Sequence, residues 1–378
     1  MLSPSFFTST LSIDVAALAR NWQRLDAMTG AAETGAAVKA NAYGIGIGPA
    51  VNALHGAGCR TFFVAHPSEG IAARAALTEC TARDVQTGSD IYVLNGLPHG
   101  AARDYEAHGL RPVLCEPGQI ERWRAHAKAR GRRLPCAIQI DTGMTRLGLL
   151  GRDVERLTES PDLLDGLDVQ LWITHPSCAD HPDHPLNQEQ RSLFLARVAG
   201  LPAARLSFAN SAGIFLGPDW HMDLCRPGIA LYGSNPDAMT GAPMDEVVHL
   251  SARILQVHDI DRPRFVGYGA THPVPVGRRI ATCGVGYADG YMRSLSNLGY
   301  GMLAGHRVPL VGRVSMDLIT FDITDVPEHD IGPESEISII GGGVDIDELA
   351  ALGGTIAYEL LTGLGNRFAR RYLNGVAA

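Results

Sequence analysis

The chain has 378 residues, of which 46% are hydrophobic and 19% are charged. This length exceeds the size at which a single hydrophobic core usually stops growing, so two domains are expected. The net charge of −8 argues against a nucleic-acid partner, and no apolar run is long enough to cross a bilayer, so no membrane contact is expected either.

The N-terminal residues 1–10 contain no basic stretch followed by an apolar block, so they do not resemble a secretory signal. A cytoplasmic location is therefore expected. The seven cysteines are odd in number, and no two of them are three residues apart. This pattern indicates neither a disulfide framework nor a zinc ribbon.

Eight short apolar runs of strand character follow one another through the first 235 residues, with helix-length segments between them. Strands that alternate with helices indicate parallel βαβ units, and eight such units predict a (β/α)8 TIM barrel, an α/β fold. A doubly wound sheet is the alternative, but the third glycine of its G-x-G-x-x-G fingerprint is missing after Gly46. The eight runs are 36–40, 61–65, 91–94, 112–115, 137–140, 169–174, 206–209 and a stretch within 223–233.

The pattern changes after about residue 245, where β-branched runs lie close together and turn residues separate them. This pattern predicts a mainly antiparallel β domain, closed by helical segments at 346–352 and 356–364. The expected division is therefore a barrel over residues 1–243 and a C-terminal β domain over residues 244–378. The runs are 252–258, 280–285, 308–314, 318–323 and 337–340.

Lys39 stands at the end of the first apolar run. Burial would lower the pKa of its amine and make it a candidate Schiff-base nucleophile. Taken alone, however, a lysine at a strand end is more often a surface residue. Reactive residues of a TIM barrel lie at the carboxyl ends of its strands, and other polar residues follow the later runs. These residues are Arg146, His175, Asn210, Ser211 and Arg226.

The last two barrel strands predict a phosphate site, because the loops after strands seven and eight often bind phosphate. Ser211 supplies a hydroxyl there, and Gly228 allows close approach of the backbone. A lysine and a phosphate site in one barrel point to pyridoxal phosphate as the cofactor.

Six short motifs are spread over nearly the whole chain: AVKANAYGIG (37–46), DTGMTRLG (141–148), SFANS (207–211), RPG (226–228), VGYADG (285–290) and GRVSMD (312–317). Together, and in this order, they resemble those of the alanine racemases. The resemblance implies a pyridoxal 5′-phosphate-dependent isomerase that interconverts L-alanine and D-alanine.

The resemblance also implies a role for each matching residue. Lys39 carries the cofactor as a Schiff base and, once released by substrate, serves as one catalytic base. Tyr287 is the second base, on the opposite face of the substrate α-carbon. Arg146 and Met316 lie beside the substrate, and Arg146 also meets the phenolic oxygen of the cofactor. Asn210 is a further cofactor contact. The remaining cofactor contacts are Tyr43, Ser211, Tyr358 and the backbone of Gly228 and Ile229 around the phosphate, His175 against the ring and Arg226 facing the pyridine nitrogen.

Tyr287 belongs to the predicted C-terminal domain. By the resemblance it reaches the barrel of a partner subunit, so a homodimer with shared active sites is expected. Outside its motif, a half-buried tyrosine in a sheet would be the ordinary interpretation of Tyr287.

Gln139 departs from the family pattern, because many relatives have a carbamylated lysine there whose negative charge positions the neighbouring arginine. A neutral amide supplies no charge. Either a bound anion such as chloride or direct pairing with Arg146 is therefore expected. The His, Cys and Asp residues of 175–184 also raise the hypothesis of a metal site, but the prolines among them disfavour tetrahedral geometry, and no metal is expected.

Three other functions compete with alanine racemisation. A non-catalytic pyridoxal-phosphate carrier would leave the C-terminal domain and Tyr287 without a purpose. A decarboxylase with a related barrel is disfavoured by Arg226 and Tyr287. A racemase of another small amino acid, such as serine, stays open, because the sequence does not define the size of the substrate pocket.

Overall fold

The computed structural model describes residues 6–81, 88–236, 243–332 and 334–374. Strands and helices alternate through the first 225 residues of the chain. The elements are β1 (Ser9–Asp14), α1 (Val15–Thr29), β2 (Glu33–Thr34), β3 (Ala36–Ala37), α2 (Lys39–Tyr43), α3 (Ile47–Ala57), β4 (Thr61–Val64), α4 (Pro67–Thr81), β5 (Asp90–Val93), α5 (Ala102–Ala107), β6 (Leu110–Leu114), α6 (Pro117–Arg130), β7 (Leu134–Gln139), α7 (Gly151–Glu159), β8 (Leu167–Ile173), α8 (Pro185–Val198), β9 (Arg205–Ser207), α9 (Ser211–Phe215) and β10 (Leu224–Cys225).

The parallel strands close into a barrel. β3 to β9 form one sheet in chain order, and β10 pairs in parallel with β2, which continues into β3. Across this closure Gly35 donates its N–H to the Cys225 carbonyl at 2.9 Å, and Ala37 donates to the Pro227 carbonyl at 2.8 Å. A Cβ on Gly35 would lie only 2.9 Å from the Thr61 carbonyl oxygen, so the strands meet where no side chain intervenes. The predicted (β/α)8 barrel is therefore confirmed.

The remaining strands form a second, mainly antiparallel sheet, as predicted. The elements are β11 (Val248–Asp259), β12 (Arg264–Val266), β13 (His272–Val274), β14 (Arg279–Cys283), β15 (Tyr300–Leu303), β16 (His306–Pro309), β17 (Ile319–Asp322), β18 (Glu336–Ile340), α10 (Ile346–Leu352), α11 (Ala357–Gly363) and β19 (Ala369–Leu373). The order of the sheet is β16-β15-β18-β11-β1-β19, with β14 paired to β11 and β17 paired to β14. Two further strands, β12 and β13, form a separate hairpin.

The first strand of the chain lies in the second sheet rather than in the barrel. β1 pairs antiparallel with β11 and parallel with β19. Its residues alternate between buried and half-buried positions, with Leu11 and Ile13 fully buried, which is the pattern of a strand covered on one face. The division at residues 243 and 244 stays a prediction, and it does not account for this strand.

The helices α4, α5 and α6 pack against the barrel strands β4 to β8. The longest helices have 15 residues, and within the described ranges no helix is long and apolar enough to cross a membrane.

Candidate active site

A cavity of about 340 Å³ opens at the carboxyl ends of the barrel strands. This size is suited to a small-molecule ligand. The structure brings to its wall every residue that the sequence predicted as a cofactor contact, while their individual roles stay predictions. These residues are Lys39, Tyr43, Arg146, His175, Asn210, Ser211, Arg226, Gly228, Ile229 and Tyr358.

Lys39 begins a left-handed turn rather than ending a strand. β3 stops at Ala37, and the four residues from Ala40 to Tyr43 have φ values between 52 and 54°. Such a conformation costs roughly 1–2 kcal/mol per non-glycine residue, so the surroundings must hold it. Asn41 accepts from the N–H of Ile47 at 2.9 Å, and Glu69 accepts from the N–H of Ala40 at 2.6 Å. The turn places both Lys39 and Tyr43 on the cavity wall.

The Lys39 amine is half-buried at this position. Burial lowers its pKa below the ordinary value, and the positive charge of Arg146 lowers it further. The carboxylate of Glu69 opposes these effects and the charge of Arg226 adds to them. A lowered pKa makes the neutral amine more available near neutral pH, as the sequence predicted for a nucleophile or base.

Arg226 is a buried cation, only 6% exposed. Its guanidinium donates to the carbonyl of Thr174 at 2.7 Å and to the hydroxyl of Ser207. Burial lowers its pKa to about 10, so it remains charged at neutral pH. Among the described residues it forms no ion pair with a carboxylate. Burying a charge without a counter-ion is costly, which favours an electron-rich ligand beside it.

His175 lies next to Arg226, with its Nδ1 atom 3.3 Å from a guanidinium nitrogen. Burial lowers the pKa of His175 to about 3, and the charges of Arg226 and Arg146 act in the same direction. The imidazole is therefore neutral at neutral pH. Because a guanidinium can only donate, Nδ1 must accept, and the single ring proton is placed on Nε2.

Ser211 and Gly228 form a polar cradle at the end of the barrel. The Ser211 hydroxyl oxygen accepts from the N–H of Gly228 at 2.8 Å and from that of Ala230 at 3.3 Å. The rings of Tyr43 and Tyr358 lie 5.9 Å apart beside it. Burial raises the pKa of both tyrosines, so their hydroxyls stay protonated and can donate.

The charges of the cavity wall fit an anionic cofactor. Lys39, Arg146 and Arg226 line it, and among the described residues no Asp or Glu lies in its wall. A phosphate would meet hydroxyl and amide donors in the cradle, and the aromatic ring of the cofactor would lie in the same cavity as the three cations. The residues present therefore fit pyridoxal phosphate.

Gly228 is expected to be irreplaceable in this cradle. A Cβ at this position would overlap the hydroxyl of Tyr43, which is held in a buried stack on Tyr232. We expect Gly228→Ala to weaken pyridoxal-phosphate binding by about tenfold or more, because about 1.4 kcal/mol of lost contact gives that factor. Titration of the cofactor absorbance measures the change. Gly56→Ala on α3 is the matched control, since a Cβ there meets nothing within 4 Å, and equal affinity of the two variants would contradict the prediction.

Gln139 does not pair with Arg146 in the part of the chain that the structure describes. Its side-chain amide donates instead to the carbonyl of Leu147 at 2.9 Å. Arg146 is exposed and lines the cavity beside it. The second amide hydrogen of Gln139 and the guanidinium of Arg146 are both donors, so an anion between them would accept from both. Direct pairing of the two side chains is not observed, and the bound anion stays a prediction.

The anion hypothesis predicts an anomalous peak beside Arg146 in crystals grown with bromide, because bromide replaces chloride at such sites. The peak is expected within contact distance of both Arg146 and Gln139. Direct hydrogen bonding between these two side chains, with no peak, would contradict it.

Tyr287 and Met316 do not line the cavity of their own chain. Tyr287 begins a short 3-10 turn, Tyr287–Asp289, rather than lying half-buried in a strand, and its side chain is 42% exposed. Met316 is 53% exposed. The two are neighbours, because Tyr287 donates its N–H to the Ser315 carbonyl at 3.0 Å and Ala288 donates to the Met316 carbonyl at 3.0 Å.

Sequence reasoning missed several residues that shape the site. Glu69 is the most important, because its carboxylate accepts from Ala40, Ala65 and His66 and so joins the Lys39 turn to the end of β4. An acidic residue in the first turn of a helix is common, and its sequence pattern alone gives no sign of this role. Thr174 and Ser207, which hold Arg226, were also not singled out.

The metal hypothesis for 175–184 gains no support. Within the described ranges, no group of three or more His, Cys, Asp or Glu side chains could hold a metal ion. Instead, Asn187 binds the loop carbonyls of Cys178 and His181.

A barrel with a lysine, a phosphate cradle and a buried arginine on one wall, followed by an antiparallel domain, defines a pyridoxal-phosphate enzyme. Family models described as the N-terminal and C-terminal domains of alanine racemase match residues 13–236 and 247–372. The chain therefore belongs to the alanine racemase family: it is a pyridoxal-phosphate-dependent isomerase that acts on alanine.

Individual relatives agree over nearly their full length. The chain is 48% identical to an alanine racemase of Rhodospirillum rubrum over 91% of this chain and 90% of the relative. It is 43% identical to a catabolic alanine racemase of Mesorhizobium japonicum over 97% and 93% of the two chains. A crystal structure of alanine racemase from Bartonella henselae, with covalently bound pyridoxal phosphate, has a TM-score of 0.89 and 36% identity over 97% of this chain and 99% of that chain. These similarities favour alanine over the alternative functions considered above.

Proposed function

We propose that the chain interconverts L-alanine and D-alanine in a site shared by two subunits of a homodimer, with Lys39 of the barrel and the partner subunit's Tyr287 as the two opposed bases. The observation that carries this proposal is the separation of the predicted residues into two groups. The barrel residues converge on one cavity, whereas Tyr287 and Met316 lie together on the surface of the C-terminal domain. A second subunit is the simplest way to complete the cavity.

The cofactor would be held by Lys39 and by the cradle around Ser211 and Gly228. Bound there, pyridoxal phosphate supplies an electron sink that acidifies the substrate α-hydrogen. Arg226 can only donate hydrogen bonds, so a ring nitrogen placed against it would stay unprotonated. A cofactor whose ring nitrogen is unprotonated would be a weaker electron sink than one whose ring nitrogen is protonated. This difference would disfavour decarboxylation and transamination and favour simple reprotonation of the α-carbon.

Lys39 would hold or deliver the proton on one face of the α-carbon. Its lowered pKa makes the neutral amine, which can accept a proton, more available at a given pH than in an ordinary lysine. The pKa is lowered, so the neutral amine is gained as pH rises through a value below the ordinary one for lysine. Arg146 beside it would contact the substrate carboxylate with its guanidinium.

The opposite face would be served by the partner subunit's Tyr287. The neutral His175, with its proton on Nε2 and Nδ1 held by Arg226, can donate a hydrogen bond to the oxygen of that tyrosine. Donation to a phenolate favours the charged form and lowers the pKa of the tyrosine. The chain of contacts from Arg226 through His175 would thereby activate the second base.

Mixing two inactive variants tests whether the site is shared. We expect Lys39→Ala and Tyr287→Phe each to be nearly inactive as homodimers. In a mixed dimer, one barrel keeps Lys39 and receives an intact Tyr287 from its partner. Random reassociation after mild denaturation should therefore restore up to about a quarter of wild-type activity, because half the dimers are mixed and each has one intact site.

A site built within one chain predicts no recovery, and that result would overturn the shared-site proposal. Mixing two samples of the same variant is the control for incomplete reassociation.

The cytoplasmic location expected from the sequence is proposed together with this function and is tested by cell fractionation.

A further inference from the structure

Two segments of the C-terminal domain present the residues proposed to reach the partner subunit. The turn Tyr287–Asp289 carries Tyr287, and the loop before β17 carries Met316 and Asp317. The segments are in close contact, because a Cβ on Gly286 would overlap the carbonyl oxygens of Ser315 and Met316. The side chains of Tyr287, Met316 and Asp317 are exposed, so hydrogen bonds within this chain rather than burial must set the relative position of the two segments.

Asp289 is the internal anchor of the first segment. Its side chain is buried, with 3% exposure, and one carboxylate oxygen accepts from the N–H of Gly286 at 2.9 Å. Arg367 donates to the same carboxylate in a bidentate pair, through Nε at 2.7 Å and Nη2 at 3.1 Å. This planar geometry fixes the orientation of the Tyr287–Asp289 turn relative to Arg367 as well as the distance between them.

The same guanidinium also binds the second segment. Arg367 Nη2 donates to a carboxylate oxygen of Asp317 at 2.8 Å. One side chain therefore joins the residue two positions after Tyr287 to the residue directly after Met316. Arg367 lies just before β19, which pairs with β1 inside the sheet, so the side chain projects from the start of a paired strand.

We infer that Arg367 is a positioning residue for the racemase reaction, which holds Tyr287 and Met316 in the arrangement that completes the partner's site. This inference rests on the proposed function of Tyr287. Arg367 does not line the cavity, and it acts through Asp289 and Asp317. Displacement of a base by about 1 Å can cost on the order of 10²-fold in rate, so a loosened turn has a large effect.

A matched ion pair in the same domain separates positioning from simple stabilisation. Arg278 binds the buried Asp322 through Nε at 2.9 Å and Nη2 at 2.7 Å. Its side chain is 39% exposed and that of Arg367 is 51% exposed. The partner carboxylates are both nearly buried. In the described part of the chain, Arg278 forms no hydrogen bond or ion pair with the Tyr287 turn or the Met316 loop, so Arg278→Gln loses a similar ion pair without the proposed function.

The experiment compares Arg367→Gln, Arg278→Gln and Tyr287→Phe as full-length dimers loaded with pyridoxal phosphate. For each variant we would measure the melting temperature, the cofactor absorbance, kcat, KM and the α-deuterium exchange from each alanine enantiomer. For Arg367→Gln we expect kcat to fall by about tenfold to 10²-fold, with normal cofactor absorbance and a loss of exchange that is larger for one enantiomer. Tyr287→Phe should show the same enantiomer preference, and Arg278→Gln should lose melting temperature but keep kcat within about twofold.

Two additional variants keep the test decisive if Arg367→Gln folds poorly. Arg367→Lys retains the charge but not the bidentate geometry, so it should recover stability more fully than kcat. Asp317→Asn removes only the exposed contact and should give a smaller loss of the same enantiomer preference. Equal losses for both enantiomers, or an effect no larger than that of Arg278→Gln, would overturn the role of Arg367. If Tyr287→Phe itself shows no preference, the two-base proposal fails first and this inference fails with it.

Discussion

Purified Lys39→Ala protein is expected to be colourless and to lose racemase activity by about 10²–10⁴-fold or more, since positioned acid–base catalysis alone contributes that range. The wild-type chain should be yellow when reconstituted with pyridoxal phosphate. The expectation follows from the position of Lys39 on a cavity wall that carries two further cations and a polar cradle. Absorbance spectra and a circular-dichroism racemisation assay measure the two effects.

The chain offers an unusually sharp control, because it contains only two lysines, Lys39 and Lys128. Lys128 is exposed on α6 and is not one of the residues that line the cavity. Lys128→Ala should keep both colour and activity. Borohydride reduction followed by peptide mapping should find the cofactor on Lys39 alone. A colourless reconstituted wild-type protein, or cofactor attached to Lys128, would contradict the assignment of Lys39 as the cofactor lysine.

Replacing Tyr287 with phenylalanine is expected to reduce kcat by about 10²–10⁴-fold, because one of two acid–base groups is removed. The loss of α-deuterium exchange should be much larger for the enantiomer whose proton faces the tyrosine. Exchange from the other enantiomer depends on Lys39 and should persist. Solvent exchange of both enantiomers in D2O, followed by NMR, provides the measurement.

Tyr268→Phe is the matched control for that experiment, because Tyr268 is another surface tyrosine of the same domain and is 72% exposed. It should leave kcat and exchange unchanged. Equal loss of exchange for both enantiomers in Tyr287→Phe would count against two opposed bases and would favour a single base that serves both faces.

The sequence predicted the barrel well, because buried parallel strands are nearly continuous apolar runs that alternate with helices. Its residues at strand ends are brought together by topology alone, which explains why Arg146, His175 and Arg226 could be placed near one another in advance. The left-handed turn after Lys39 could not be predicted in the same way. It depends on Glu69, which reaches the Ala40 amide from a different βα unit, and such a contact has no local pattern.

The C-terminal domain was less predictable from its sequence. Its antiparallel character follows from short runs separated by turn residues, but the positions of Tyr287 and Met316 depend on contacts between distant segments. Arg367 is 78 residues from Asp289 along the chain, and a single arginine near the C-terminus carries no signal of that pairing. Ion pairs over such separations are visible only in the folded chain.

The placement of β1 has a consequence for the way in which the molecule is made. Thr10 is paired with Ala369, so β1 has as its neighbour a strand that is synthesised long after it. While most of the chain is still being translated, β1 has neither this partner nor β11, and it must be kept from pairing elsewhere. The barrel can form during synthesis, whereas the second sheet can be completed only once the C-terminal strand has left the ribosome.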